Sequence, residues 1–170
     1  MKYIDLFEEF KIKPRAAHVP VYSTGQRPVT ADNKKVIRKQ DVIIATDDTI
    51  RQIVEDEIDR LGKDADLNHI DVSQVTSMRG LFVNTDFQGD ISQWDVSNAK
   101  YMSYMFYGCT KFNSDISKWN VGKVTDMDYM FKFCTNFNQD LSKWDVRNVK
   151  TRDIMFYYCP IKDKFKPKFK

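Results

Sequence analysis

Three stretches of this chain lie over one another without a gap. They are FQGDISQWDVSNAKYMSYMFYGC from Phe87, FNSDISKWNVGKVTDMDYMFKFC from Phe112 and FNQDLSKWDVRNVKTRDIMFYYC from Phe137. No other feature constrains the fold as strongly, because a unit this short cannot bury its own apolar face. It must stack on neighbours of the same shape. A shorter copy, DLNHIDVSQVTSMRGLF, precedes them and puts Leu67, Ile70, Val72, Val75, Met78, Leu81 and Phe82 on the same pattern. The array therefore holds about four units over 63–160.

Inside each unit the apolar residues follow two periods. Trp119 and Val121 stand two apart, as on one face of a strand. Val124, Met127, Met130, Phe131 and Cys134 step by three, three, one and three, as on one face of a helix. Ser97, Asn98 and Thr125 occupy places where such a helix would begin. The spacing predicts an α/β chain: a parallel solenoid with one strand and one helix per repeat.

The flanks read as closures for the two open ends. TDDTIRQIVEDEIDRLG predicts a capping helix over 47–62, with Ile50, Ile53, Val54, Ile58 and Leu61 on one face, Asp47 and Asp48 at its start and Gly62 ending it. After Pro160, Lys162, Lys164, Lys166, Lys168 and Lys170 alternate with Phe165, Pro167 and Phe169. That alternation predicts a C-terminal edge strand over 161–170 whose lysines and proline block further pairing. Residues 1–46 differ in character. Tyr3, Leu6, Phe7 and Phe10 could share one short helical face, Pro14, Pro20 and Pro28 punctuate an extended stretch, and DVIIA reads as a strand. The expectation is an extended docking arm over 1–46, with Leu6, Phe7, Phe10, Val21 and Tyr22 as its anchoring contacts, and a capped repeat domain over 47–170.

Composition excludes several function classes. A net charge of +3 argues against a nucleic-acid partner, and the longest aliphatic run, VIIA at 42–45, is far below the ~20 residues of a membrane span. Asp5, Glu8 and Glu9 stand where a signal peptide would be apolar, so synthesis in the cytoplasm is expected. No phosphate-binding glycine loop, paired-histidine metal motif or nucleophile elbow occurs. The expectation is no enzyme, no cofactor, no metal and no catalytic residue. His69 takes the slot of Gln93, Lys118 and Lys143, an exposed strand position. The Cys109, Cys134 and Cys159 column reads as small buried side chains. The Asp66, Asp90, Asp115 and Asp140 column reads as turn residues accepting backbone N–H groups.

Recognition is then expected where the copies differ. The outward strand positions Gln93, Lys118 and Lys143, and beside them Asp95, Asn120 and Asp145, would form one exposed face. Tyr104 and Tyr129, with Tyr101, Tyr107, Phe133, Tyr157 and Tyr158, lie off the core stripe and suit a contact surface. Asp128 and Lys132 vary too.

The phrase F-N-x-D-I-S-x-W-D-V-S-N-V-T-D-M-x-x-M-F-x-x-C, recurring in register over about 66–160, resembles the repeat of BspA-like leucine-rich-repeat surface proteins. The resemblance implies a leucine-rich-repeat-like solenoid and a non-enzymatic binding or adhesion module of bacterial surfaces, with similar repeats in phage-encoded proteins. Residues 1–46 lie outside it. The leading expectation is a protein-interaction module held in a larger assembly by its arm, such as a virion structural or decoration protein whose partners are capsid or other virion proteins or a host surface ligand. The alternatives are a soluble cytoplasmic adaptor and a cell-surface adhesion protein.

Overall fold

A computed structural model of the protein describes residues 42–169. The expected anchoring contacts Leu6, Phe7, Phe10, Val21 and Tyr22 lie outside the described residues. The compact unit begins at Asp41, earlier than the expected boundary at 46/47. The reason is strand β1 (Ile43–Ile44), which pairs in parallel with β2 (Ile70–Asp71) and so belongs to the repeat side of the chain. Helix α1 (Ile50–Leu61) follows β1. It ends at Gly62, whose positive φ of 95° suits a residue without a Cβ and whose N–H reaches Ile58 O at 2.8 Å. Ile50 and Val54 face the core.

Side chains fasten this end to the first repeat. Arg51 donates to the carbonyls of Arg79 (2.9 Å) and Gly80 (3.1 Å). Asp47 accepts from Thr76 N (2.6 Å) and Ser77 N (3.0 Å) rather than serving its own helix. Glu57, 4 % exposed, binds Arg60 and the imidazole of His69. His69 is therefore not the exposed residue its slot implied: its side chain is 5 % exposed, because α1 covers this face in the first unit only.

Among the described residues, none of the repeats contains an α-helix. The expected helical half of each unit is a run of tight turns at 78–84, 102–108, 127–133 and 152–158. In the second run the N–H groups of Met105, Tyr107 and Cys109 return three residues, to Met102, Tyr104 and Phe106. The alternate N–H groups of Met102, Tyr104, Phe106 and Gly108 instead donate to Asp126, Asp128, Met130 and Lys132 of the next unit, at 2.9–3.0 Å. The first and third runs repeat the scheme, reaching 101–107 and 151–157.

Backbone conformation explains the choice. Gly80, Tyr104, Tyr129 and Ile154 all have positive φ, as do Asn84, Gly108, Phe133 and Tyr158 four residues later. A left-handed residue at every fourth position interrupts N–H(i)→O(i−4) bonding and turns alternate amides toward the neighbour. Ser97, Asn98 and Thr125 accordingly do not cap helices. Asn98 Nδ2 and Thr125 Oγ1 bond the preceding unit, at Ser73 O (2.8 Å) and Lys100 O (3.2 Å).

The strand expected around Trp119–Val121 is also replaced, by two turns closed by Trp119 N→Ile116 O and Val124 N→Val121 O. Parallel bridges fall elsewhere, joining Asp66 to Asp90 ahead of it and, later in the unit, Ser77 to Tyr101, Tyr101 to Asp126 and Asp126 to Thr151. The Trp and Val side chains still point inward and are at most 5 % exposed. Each indole donates to a carbonyl one unit back: Trp94 to Leu67 O (2.9 Å), Trp119 to Ile91 O (3.2 Å) and Trp144 to Ile116 O (3.1 Å).

Two phenylalanine stacks run through the core. Phe82, Phe106, Phe131 and Phe156 follow one another with ring centroids 5.5, 5.4 and 5.7 Å apart. Phe87, Phe112 and Phe137 do so at 6.4 and 5.8 Å. Cross-contacts of 4.0 Å (Phe106–Phe112) and 4.3 Å (Phe131–Phe137) knit the stacks together. Offset stacking at such distances adds ~0.5–1.5 kcal/mol per pair to plain burial.

The C-terminal segment is not the expected edge strand. Asp163–Phe165 form a short 3₁₀ turn, closed by the Lys166 Nζ–Asp163 pair at 2.7 Å. Ile161 and Pro167 are buried and Phe165 and Phe169 half-buried, so apolar residues still cover the core end while the backbone turns. Leu141 N→Phe165 O (2.8 Å) and Lys162 N→Asn138 Oδ1 (3.2 Å) tie it to the last full repeat.

Candidate functional site

The variable polar columns lie on the Trp–Val turns, and all six side chains, Gln93, Asp95, Lys118, Asn120, Lys143 and Asp145, are exposed. Their chemistry is partly committed. Asp95, Asn120 and Asp145 accept the N–H two residues on, from Ser97 (3.0 Å), Gly122 (3.2 Å) and Arg147 (3.3 Å). Arg147 also clasps Asp145 through two bonds of 2.8 Å. Hydrogen bonds from the Ser97 hydroxyl and N–H hold the Asp95 carboxyl below its ordinary range. This column shapes turns.

The aspartate column does the same at the preceding corner. Asp66, Asp90, Asp115 and Asp140 accept from Asn68, Ser92, Ser117 and Ser142 at 2.8–3.0 Å. The Ser117 and Ser142 bonds lower the Asp115 and Asp140 carboxyls. At Asp90 burial pushes the other way and the hydrogen bonds prevail. An open cavity of about 530 Å³ beside this column is lined by Asp64, Gln88, Asp90, Lys111 and Asp115 among others. No group of three or more possible metal ligands occurs among the described residues.

The cysteines are reduced and inward-facing. Cys109 and Cys134 donate to Phe82 O and Phe106 O at 2.8 Å. Burial pushes the Cys109 thiol up to about 12 and raises Cys134 and Cys159 as well, the opposite of what a nucleophile needs.

The aromatic residues differ from all of these, because the fold brings them together. Tyr104 stacks on Tyr129 at 4.6 Å and tilts against Tyr107 at 5.7 Å. Tyr107 meets Phe133 edge-on at 5.6 Å, and Phe133 meets Tyr157 (6.0 Å) and Tyr158 (5.5 Å). Lys132 Nζ lies 5.0–5.9 Å from the rings of Phe133, Tyr129, Tyr157 and Tyr107. The result is a ledge along the turn edge, ending in Tyr157 and Tyr158, 49 % and 66 % exposed. Tyr101 lies at the bridge position just before the turns and is 43 % exposed.

Five ledge or edge residues (Tyr104, Tyr129, Phe133, Ile154 and Tyr158) have the left-handed backbone that favours Gly or Asn. The same columns hold Gly80, Asn84 and Gly108 in other units. Sequence reasoning found the tyrosines but missed this constraint. The signal was available: a column in which Gly or Asn alternates with aromatics marks a positive-φ position.

A family comparison agrees with the extent of this array, matching over residues 52–167. The chain belongs to the family described as Mycoplasma protein of unknown function, DUF285. The DUF285 match takes in most of α1, every turn run and most of the C-terminal segment. No curated protein and no solved structure matches the chain. No helix among the described residues is long and apolar enough to cross a membrane.

Proposed function

We propose that this DUF285 chain is a leucine-rich-repeat-like solenoid of the BspA-like kind. In this reading it works as a non-enzymatic protein-interaction module, anchored through residues 1–46 in a larger assembly such as a virion. The observation that carries the interaction reading is the ledge. Tyr129 (φ 58°), Phe133 (φ 63°) and Tyr158 (φ 55°) keep large rings where glycine would be the inexpensive residue. Each such placement costs on the order of 1–3 kcal/mol, and strain of this kind gathers at functional positions. Partly exposed aromatic rings gathered along one edge also have the composition of a protein contact surface.

The chemistry of the other clusters favours binding over catalysis. The aspartates are occupied by turn N–H groups and the thiols are held protonated. Two experiments test the reading. A chain lacking residues 1–40, which leaves β1 in the repeat unit, should separate from its native assembly on sedimentation, and retention of the truncated chain would remove the anchoring role. Tyr129→Gly/Phe133→Gly/Tyr158→Gly should keep its melting temperature and lose the partner held by the parent chain; unchanged binding would remove the ledge from the reading.

A further inference from the structure

The turn ladder is polar in direction. In each of the first three runs, alternate N–H groups give their protons to carbonyls of the following run, at 2.7–3.0 Å: 78–84 to 101–107, 102–108 to 126–132 and 127–133 to 151–157. The fourth run keeps the same geometry. Ile154 and Tyr158 have φ of 40° and 55°, and Met155, Tyr157 and Cys159 donate back three residues as in every earlier run. The equivalent forward-pointing amides are those of Arg152, Ile154, Phe156 and Tyr158, and among the described residues they meet no acceptor. The C-terminal segment supplies them no backbone acceptor: its backbone bonds the chain at Leu141, and it reaches this edge through side chains, the Phe169 ring 4.7 Å from the Arg152 guanidinium and Lys166 Nζ 5.9 Å from the Phe156 ring. Ile154, Tyr157 and Tyr158 beside these amides are 49 %, 49 % and 66 % exposed.

We propose that the 152–158 edge is a docking site for a segment of another polypeptide that adds a fifth rung. The occupant's chemistry follows from the three rungs already formed. It must offer backbone carbonyls at alternate residues of a tight-turn run, with a side chain that extends the ledge beyond Tyr158. The inference rests on the interaction reading and deepens it by placing the main-chain part of the contact, a form of strand addition to an unpaired edge. A second copy of this chain is a poor occupant. Two such edges both present donors, and at the opposite end of the ladder the Arg51 side chain of α1 lies across the first run, bonded to the ladder-position carbonyl of Arg79 and to that of Gly80.

The test uses the full chain, isotopically labelled, and a synthetic peptide of its own residues 124–135 carrying Cys134→Ser. In the fold this run supplies the carbonyls of Asp126, Asp128, Met130 and Lys132 to the rung before it. At about ten times its Kd, the peptide should slow hydrogen exchange about tenfold at the amides of Arg152, Ile154, Phe156 and Tyr158. The buried ladder amides of 127–133 should not change. Arg152→Pro removes one donor, and Thr151 before it is already paired in the extended bridge that a following proline requires. This variant should melt with the parent chain and lose peptide binding, whereas Arg152→Ala should retain it. Binding that survives Arg152→Pro and shifts only the ledge resonances would overturn the edge while leaving the interaction reading standing. No binding by any form would overturn the edge too. Concentration-dependent self-association abolished by Arg152→Pro would replace the foreign segment by a second copy and overturn the choice of occupant.

Discussion

Phe131 and Tyr129 are two residues apart in the same turn run, yet one is fully buried and the other half-exposed. Both stack on the equivalent column one unit back, Phe131 on Phe106 at 5.4 Å and Tyr129 on Tyr104 at 4.6 Å. The inner column reads Phe82, Phe106, Phe131 and Phe156 in all four units; the outer one reads Gly80, Tyr104, Tyr129 and Ile154. Copying therefore follows burial, while the outer column, only partly buried, is free to change. Stacking alone does not explain why rings stand at left-handed positions, since the Gly80 unit closes its turns without one.

The sharpest way to break this comparison is to remove a ring from each column. Phe131→Ala deletes a side chain that contacts Phe106, Phe137, Trp144 and Phe156. Chemical denaturation should show a loss of about 3–5 kcal/mol, the usual cost of emptying a phenylalanine site in a close-packed core. A loss near zero would mean that the stacks are not what holds the units together.

Trp119→Phe asks for less. A phenyl ring can keep the stack on Trp94, now at 6.5 Å, but it removes the indole bond to the Ile91 carbonyl, which keeps only the Trp94 N–H at 3.2 Å. Losing one buried hydrogen bond while the acceptor stays paired costs about 0.5–1.5 kcal/mol, so denaturation should place this variant between Phe131→Ala and the ledge variants.

At Tyr129 the two contributions oppose one another. Glycine relieves the positive φ of 58° by roughly 1 kcal/mol but gives up the stack on Tyr104 and the Lys132 contact at 5.3 Å, together of similar size. Tyr129→Gly should therefore melt within a few degrees of the parent chain. A large destabilisation would make the outer column structural after all and take away the argument for a contact surface.

The same pair of columns shows what could be read from the chain. Phe112, Trp119, Val121, Met130, Phe131 and Cys134 were legible as inward-facing because their spacing survives any backbone that buries them. The backbone itself was not. Steps of three and four suit an α-helix, but they equally suit consecutive tight turns in which every fourth residue is left-handed. Only Gly80, Asn84 and Gly108 hinted at the second solution. His69 was misjudged because its column is exposed in three units, whereas α1 folds over it in the first. The polar columns Gln93, Lys118 and Lys143 and Asp95, Asn120 and Asp145 were placed outward from their alternation with Trp and Val, and they are exposed. That the second of these holds turns together follows from hydrogen bonds that sequence spacing alone does not distinguish from a free surface.

The smallest effect concerns a column that is copied without being buried. Asp115 and Asp140 are exposed, yet they recur because each carboxylate accepts the N–H and hydroxyl of a serine two residues on. Those bonds lower their pKa below that of the unfolded chain, about 3.9 for an aspartate. With the folded value depressed, the unfolded state binds protons first as the pH falls. The contribution is complete well above pH ~4 and disappears as the pH drops through the folded values. Asparagine keeps the accepting oxygen without the titration, as Asn120 does toward Gly122 at 3.2 Å. Asp115→Asn/Asp140→Asn should therefore match the parent's stability closely at neutral pH and lose less of it between pH ~5 and ~3, as followed by denaturant midpoints. Parallel midpoints across that range would show that the carboxylate charge contributes nothing at these corners. Copying in the exposed column would then record turn geometry alone, as copying in the buried one records packing.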